Sequence, residues 1–144
     1  MLGAIRHRAA WTSAEHEPVS GFDALRGHKY ALLTTYRKNG DPVPTPVWFG
    51  LDDDGAVYFY ADETSGKVKR VRGNAQVRLA PCDLRGKPRG APAVGKARIL
   101  PPDQTDRAER VIAANYGLGR RVYDGAINRL PTTGVYVEVH AAAT

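Results

Sequence analysis

Residues 57–72 read VYFYADETSGKVKRVR. The stretch opens on aromatic and β-branched residues, Val57 to Tyr60, which favour a strand. It breaks at Ala61, Asp62 and Glu63 and passes through Thr64, Ser65 and Gly66. It closes on Lys67, Lys69, Arg70 and Arg72, set among Val68 and Val71. That order predicts a strand, a tight loop and a helix start. A helix N-terminus carries about half a positive charge, so a lysine-rich first turn is locally unfavourable. An anion such as phosphate, seated on the N–H groups that a first turn leaves unpaired, removes the misfit.

Upstream, the chain reads as strands joined by tight turns. Asp52-Asp53-Asp54-Gly55 is turn chemistry, so Ala56–Ala61 is expected to run antiparallel to the strand before it, Val43–Leu51. That second strand contains Pro44 and Pro46 on one face, two residues apart. Proline has no N–H to give to a ladder, so part of this strand is expected to form an edge. Before it, Asn39-Gly40 is a strong hairpin signal. It pairs Val43–Leu51 with a first strand, Tyr30–Tyr36 (YALLTTY). Phe22 and Leu25 have the spacing of a short helix within Gly21–Gly27. Residues 1–20 show no clean periodicity and read as an extended or mobile arm, leaving residues 21–144 as one domain.

Downstream of the basic helix, expected over Ser65–Arg72, Gln76–Cys82 and Pro92–Leu100 are the fourth and fifth strands. Pro101-Pro102-Asp103 signals a helix start, and Asp103–Tyr116 keeps helical spacing. A second helix is expected over Arg121–Leu130 and a last strand over Gly134–His140. Six strands, mostly hairpin-connected, with a few short helices, describe a mainly β (α+β) protein: a small antiparallel barrel. Trp48-Phe49 and Tyr58-Phe59-Tyr60 put large aromatics on both faces of the second and third strands. One face fills the barrel. The other needs a cover: a helix, a partner subunit or a flat ligand.

The chain has 144 residues, enough for one core. No apolar run approaches the ~20 residues of a membrane span. Residues 1–11, MLGAIRHRAAW, lack the apolar run of a signal peptide, so a cytoplasmic location is expected by default. Cys82 is the single cysteine and excludes an internal disulfide. A net charge of +6 favours anionic partners.

Thr64-Ser65-Gly66-Lys67 combines hydroxyls, a small residue and a cation, the donors that a phosphate needs. It is not a Walker A loop, because Ala61 and Val68 stand where glycine and a hydroxyl residue belong. A plain N-cap opening a solvated basic helix explains the same residues. Gly117-Leu118-Gly119 follows a helix, not a strand, which favours a helix–helix turn over a dinucleotide fingerprint. His7, His16, His28 and His140 lack metal-ligand spacing, so no metal site is expected. Basic residues beside aromatic strands also suit single-stranded nucleic acid, but no RNP-like consensus accompanies them and nucleic acid is not the expected partner.

Tyr30 to Asp83, YALLTTYRKNGDPVPTPVWFGLDDDGAVYFYADETSGKVKRVRGNAQVRLAPCD, resembles the pyridoxamine 5'-phosphate oxidase-like split β-barrel superfamily. More narrowly it resembles the actinobacterial branch of deazaflavin (coenzyme F420)-dependent reductases, over about residues 22–140. The resemblance implies a six-stranded split barrel and a homodimer with cofactor sites at the subunit interface. It places Thr45, Pro46, Val47 and Trp48 along the cofactor ring. Tyr60 and Ala61 match a Tyr-Thr pair, with a hydroxyl lost at Ala61. Ser65, Gly66 and Lys67 match a Ser-Arg-Lys pattern, with Gly66 in place of the arginine. Thr64 through Lys67 would then hold phosphate. Arg70, with Lys69 and Arg72, would meet the acidic tail that coenzyme F420 carries and FMN lacks.

The resemblance therefore implies an oxidoreductase that passes hydride from reduced coenzyme F420 to a small organic acceptor. An FMN-dependent oxidase or reductase is one alternative. A non-enzymatic carrier of F420, haem or another tetrapyrrole is a second. No catalytic residue is assigned, since Tyr36, Tyr60 and water serve equally as proton donors.

Overall fold

Strands form where β-branched and aromatic residues alternate in the computed structural model, which describes residues 7–115 and 134–142. They are β1 (Tyr30–Tyr36), β2 (Pro42–Trp48), β3 (Gly50–Leu51), β4 (Val57–Asp62), β5 (Gln76–Cys82), β6 (Ala93–Ile99) and β7 (Gly134–Ala141). Two α-helices accompany them, α1 (Gly66–Gly73) and α2 (Asp106–Asn115), with three 3-10 helices at Arg8–Glu15, Asp23–Leu25 and Pro102–Gln104. The helix expected over Arg121–Leu130 and the Gly117-Leu118-Gly119 turn lie outside the described residues.

All seven strands belong to one sheet in the order β2-β1-β5-β6-β7-β4-β3, and every neighbouring pair is antiparallel. Strands β2 and β3 stand at opposite ends of that order, yet only Phe49 separates them in the chain. The two ends must therefore meet, and the sheet curls into a half-barrel. This corrects the expectation of six strands: the segment expected as one strand, Val43–Leu51, breaks at Phe49 and serves both ends of the sheet. It bears out the expected pairing with the first strand and corrects the expected pairing with Ala56–Ala61. Pro42–Trp48 pairs with β1, from Tyr36↔Pro42 to Tyr30↔Trp48, and only Gly50 and Leu51 pair with β4.

The strand period decides which side chains fill the barrel. Ala31, Leu33, Val47, Val57, Phe59, Ala61, Val77, Leu79, Val137 and Val139 face inward and form the main core. Val68 and Val71 of α1 complete it, and α1 packs against β1, β4 and β6. On the outer face of β4 and β7, Tyr58 and Tyr136 are buried with Ala108, Ile112 and Ala113 of α2. The second cover for the third strand is thus a helix of the same chain. Gly50 admits that helix: a Cβ there would lie 2.4 Å from the Val111 carbonyl oxygen.

Where the sequence suggests an extended or mobile arm, Arg8–Glu15 forms a 3-10 helix on the outer face of β1, β2 and β5. Ala10 is buried there with Leu32, Ala80 and Cys82. The His7 N–H donates to the Arg85 carbonyl, and the Val19 N–H to that of Pro92. Among the described residues, no helix is long and apolar enough to cross a membrane.

Packing at Gly50 is against backbone, which cannot swing aside. Gly50→Ala should cost about 1–3 kcal/mol of stability. Gly73→Ala, at a helical position with no heavy atom within 4 Å of the added Cβ, should be neutral or stabilise by up to about 1 kcal/mol. Urea unfolding of both variants beside wild type checks this, and equal midpoints for the two would contradict the packing.

Candidate functional site

The loop between β4 and α1 organises itself around one carboxylate. Asp62 Oδ1 accepts from both the N–H and the hydroxyl of Thr64, each at 2.8 Å. The Ser65 N–H donates to the Asp62 carbonyl. Ser65 then caps α1, its hydroxyl oxygen accepting from the Val68 N–H at 3.5 Å. No acidic residue occupies the first turn of α1. Its positive end meets Lys67 instead, which is half-buried.

Arg70 adds a polar contact between this helix and the sheet to the apolar packing of Val68 and Val71. Its Nε donates to Thr35 Oγ1 at 2.6 Å. Thr35 is fully buried on β1 and in turn donates to the Val43 carbonyl at the start of β2, at 3.5 Å. The guanidinium folds back over Gly66, and a Cβ at residue 66 would lie 2.7 Å from Nη1. Two segments that the sequence assigns to one site, α1 and β2, are therefore joined through a threonine that sequence reasoning missed. The available signal was the Thr34-Thr35 doublet inside an apolar strand. One of the two must face the barrel, and a buried hydroxyl needs a partner.

The residues expected along a ring divide by face. Thr45 and Val47 point into the barrel and are buried, and Val47 belongs to the main core. Pro46 points outward and is buried, its Cδ 3.8 Å from where a Cβ on Gly86 would sit. Trp48 also points outward and is 44% exposed. Ala61 is buried in the core, so its side chain faces away from the surface. Tyr60 lies on the outer face, its ring edge-on to Tyr136 at 4.8 Å. Burial raises its hydroxyl above the ordinary tyrosine range, although a hydrogen bond from the Gly134 backbone opposes the shift. That makes Tyr60 a weak proton donor.

A cavity of about 200 Å³ lies elsewhere, between β3, α2 and the Asp23–Leu25 turn, lined by Leu25, Phe49, Leu51, Val111 and Asn115 among others. It contains none of the expected site residues and is smaller than a typical cofactor pocket. Cys82 is buried, and burial pushes its thiol up to about 12, which removes it as a nucleophile. No group of three or more metal-ligating side chains occurs among the described residues.

A second polar cluster sits on the outer face of β4, β6 and β7. Glu138 accepts from the Tyr58 hydroxyl at 3.0 Å and from Arg98 Nη2 at 3.2 Å, with His140 Nε2 at 2.9 Å. Burial raises the carboxyl, but hydrogen bonds from Tyr58, His140 and Arg98 outweigh it and hold Glu138 below the ordinary carboxylate range. Burial and Glu138 together push the Tyr58 hydroxyl well above the ordinary tyrosine range. The cluster braces three strands and contains none of the expected site residues.

Residues 22–137 match the family model described as Pyridoxamine 5'-phosphate oxidase, and the chain belongs to that family. Its fold is shared with solved structures of diverse description. A conserved hypothetical protein, Rv2991 from Mycobacterium tuberculosis, is 21% identical with a TM-score of 0.63, over 84% of this chain and 78% of that one. HutZ, the heme storage protein from Vibrio cholerae, is 15% identical with a TM-score of 0.60, over 81% and 84%. A structure described as an F420 reductase is 18% identical with a TM-score of 0.53, over 87% and 96%. At these identities the likeness is one of fold. No curated protein matches the sequence significantly.

The depressed Glu138 carboxyl predicts a pH effect with a definite sign. Its folded value lies below the ordinary 4.5, so its stabilisation is present above that pH and disappears as pH falls through the folded value. Glu138→Gln should be less stable than wild type by about 1–2 kcal/mol at pH 7. That difference should shrink on acidification below about pH 4.5. Denaturant titrations across the range check this, and a constant difference down to pH 3 would contradict it.

Proposed function

We propose that this chain is an oxidoreductase that uses reduced coenzyme F420 to deliver hydride to a small organic acceptor, working as a homodimer with the cofactor between subunits. The observation that carries the reading is the link from Arg70 through Thr35 to the Val43 carbonyl. It places a cationic helix start and the outward-facing edge strand in one rigid unit. A phosphate beside Lys67 and Arg70 and a flat ring along Thr45–Trp48 suit that unit. The exposed indole of Trp48 offers an aromatic surface to a ring or to a second subunit.

When bound, the deazaflavin supplies the hydride from its ring carbon. The chain's own contribution is binding and orientation. Lys67 and Arg70 bring positive charge to the first turn of α1, where backbone N–H groups add to it. Thr64 contributes only if an anion displaces Asp62 from its hydroxyl and N–H. Lys69 and Arg72 are exposed on the same helix and suit the acidic tail. The raised Tyr60 hydroxyl leaves Tyr36 and water as the candidate proton sources for the reduced acceptor.

One observation favours FMN as a second reading. The Arg70 guanidinium lies over Gly66, so the helix start does not lack a cation merely because residue 66 is glycine. Fluorescence titration of wild type and Lys67→Ala with both cofactors tests the site and the choice. Coenzyme F420 should bind wild type and weaken about tenfold in the variant, a loss of about 1.4 kcal/mol. Micromolar FMN binding without F420 binding would overturn the cofactor assignment. Unchanged affinity of Lys67→Ala for both would sink the phosphate site.

A further inference from the structure

We propose that Thr35 and Gly66 are positioning residues that hold the Arg70 guanidinium over the first turn of α1 and so set the site's preference for a phosphate-bearing ligand. This rests on the phosphate-site reading above and adds two residues to it. Helical side chains lean toward the N-terminus, so a residue four positions on reaches back over the turn before it. Arg70 stands in that relation to Gly66. An ideal Cβ at residue 66 would lie 2.7 Å from Nη1, 3.5 Å from Cζ and 3.6 Å from Nη2. The guanidinium thus occupies the space that any larger residue would fill with its own side chain.

Gly66 clears the space, and Thr35 fixes what enters it. The hydroxyl proton of Thr35 is directed to the Val43 carbonyl, which leaves an Oγ1 lone pair for Arg70 Nε. Thr35 is buried at 0% exposure on a paired strand, so its oxygen does not move. Anchoring Nε restricts rotation of the guanidinium plane and leaves the Nη1 side against Gly66. A planar guanidinium held in one orientation suits a phosphate through paired N–H groups, which a swinging cation matches less well.

The two variants separate this role from simple folding. The atoms crowding residue 66 belong to the far end of a flexible side chain, so Gly66→Ala displaces the guanidinium at little cost to the fold. Thr35→Val keeps the shape and removes the acceptor, while Thr35→Ser keeps the acceptor. The probes are coenzyme F420 and its phosphate-free deazaflavin ribityl core, titrated by fluorescence against the full chain, with melting temperature recorded for each variant. Wild type should prefer F420 over the core. Thr35→Val and Gly66→Ala should each reduce that ratio about tenfold, and Thr35→Ser should restore it. A wild-type preference that neither substitution changes, or an equal loss for both probes, would overturn the positioning role and leave the phosphate site standing. No preference in wild type, or no binding of either probe, would overturn the phosphate site and this proposal with it.

Discussion

A strand carrying prolines at alternate positions can be paired on one side only, and the barrel depends on that constraint. Pro42, Pro44 and Pro46 lie opposite Tyr36, Thr34 and Leu32 of β1. Alternate residues direct their backbone polar groups to the same edge, so these nitrogens, which carry no hydrogen, all face away from β1. That edge offers carbonyl acceptors and no proline N–H donors, and a second strand cannot complete a ladder on it. The chain regains donors only beyond Pro46, and at Gly50 and Leu51 it pairs with β4. The sheet therefore closes at one end of this segment and stays split along the rest.

Closure at Gly50 also determines how the covering layers attach. The missing side chain lets the α2 backbone approach β3, which brings Ala108, Ile112 and Ala113 onto Tyr58 and Tyr136. On the other side of the barrel, the outward prolines and Leu32 receive the Arg8–Glu15 turn. The aromatic excess on both faces of the strands is thus largely absorbed within one chain. Trp48 at the end of β2 is the part that stays exposed.

Much of this was legible because turns and strand periods are local signals. The bounds of β1 and β5 follow from their composition, and the Asn39-Gly40 turn has its glycine at φ 93°. Pro44 and Pro46 announced an edge, and Ser65 announced the start of α1. Neighbour relations were not legible. Alternation tells which face of a strand is buried, not which strand lies beside it, so the Pro44–Pro46 segment was expected next to Val57–Ala61. Arg8–Glu15 carried no helical signal for a related reason: a 3-10 turn held by tertiary contacts needs no helical periodicity. Thr35, which accepts from Arg70, lies 35 residues upstream of it, beyond any local pattern.

That long-range contact alters what the glycine at residue 66 signifies. Compared with a family pattern, Gly66 reads as a missing cation. In the folded chain it makes room for one, because Arg70 reaches back from the next turn. Lys67 and the Arg70 guanidinium thus gather where the helix presents its positive end, and no acidic side chain occupies the first turn. The Asp62 carboxylate lies just before that turn and holds Thr64 through Oδ1. Ser65 caps the helix, yet where the helix dipole favours acidic residues the chain places cations, and a buried threonine holds one of them. Local rules that are broken with such support elsewhere in the structure are the expected mark of a ligand site.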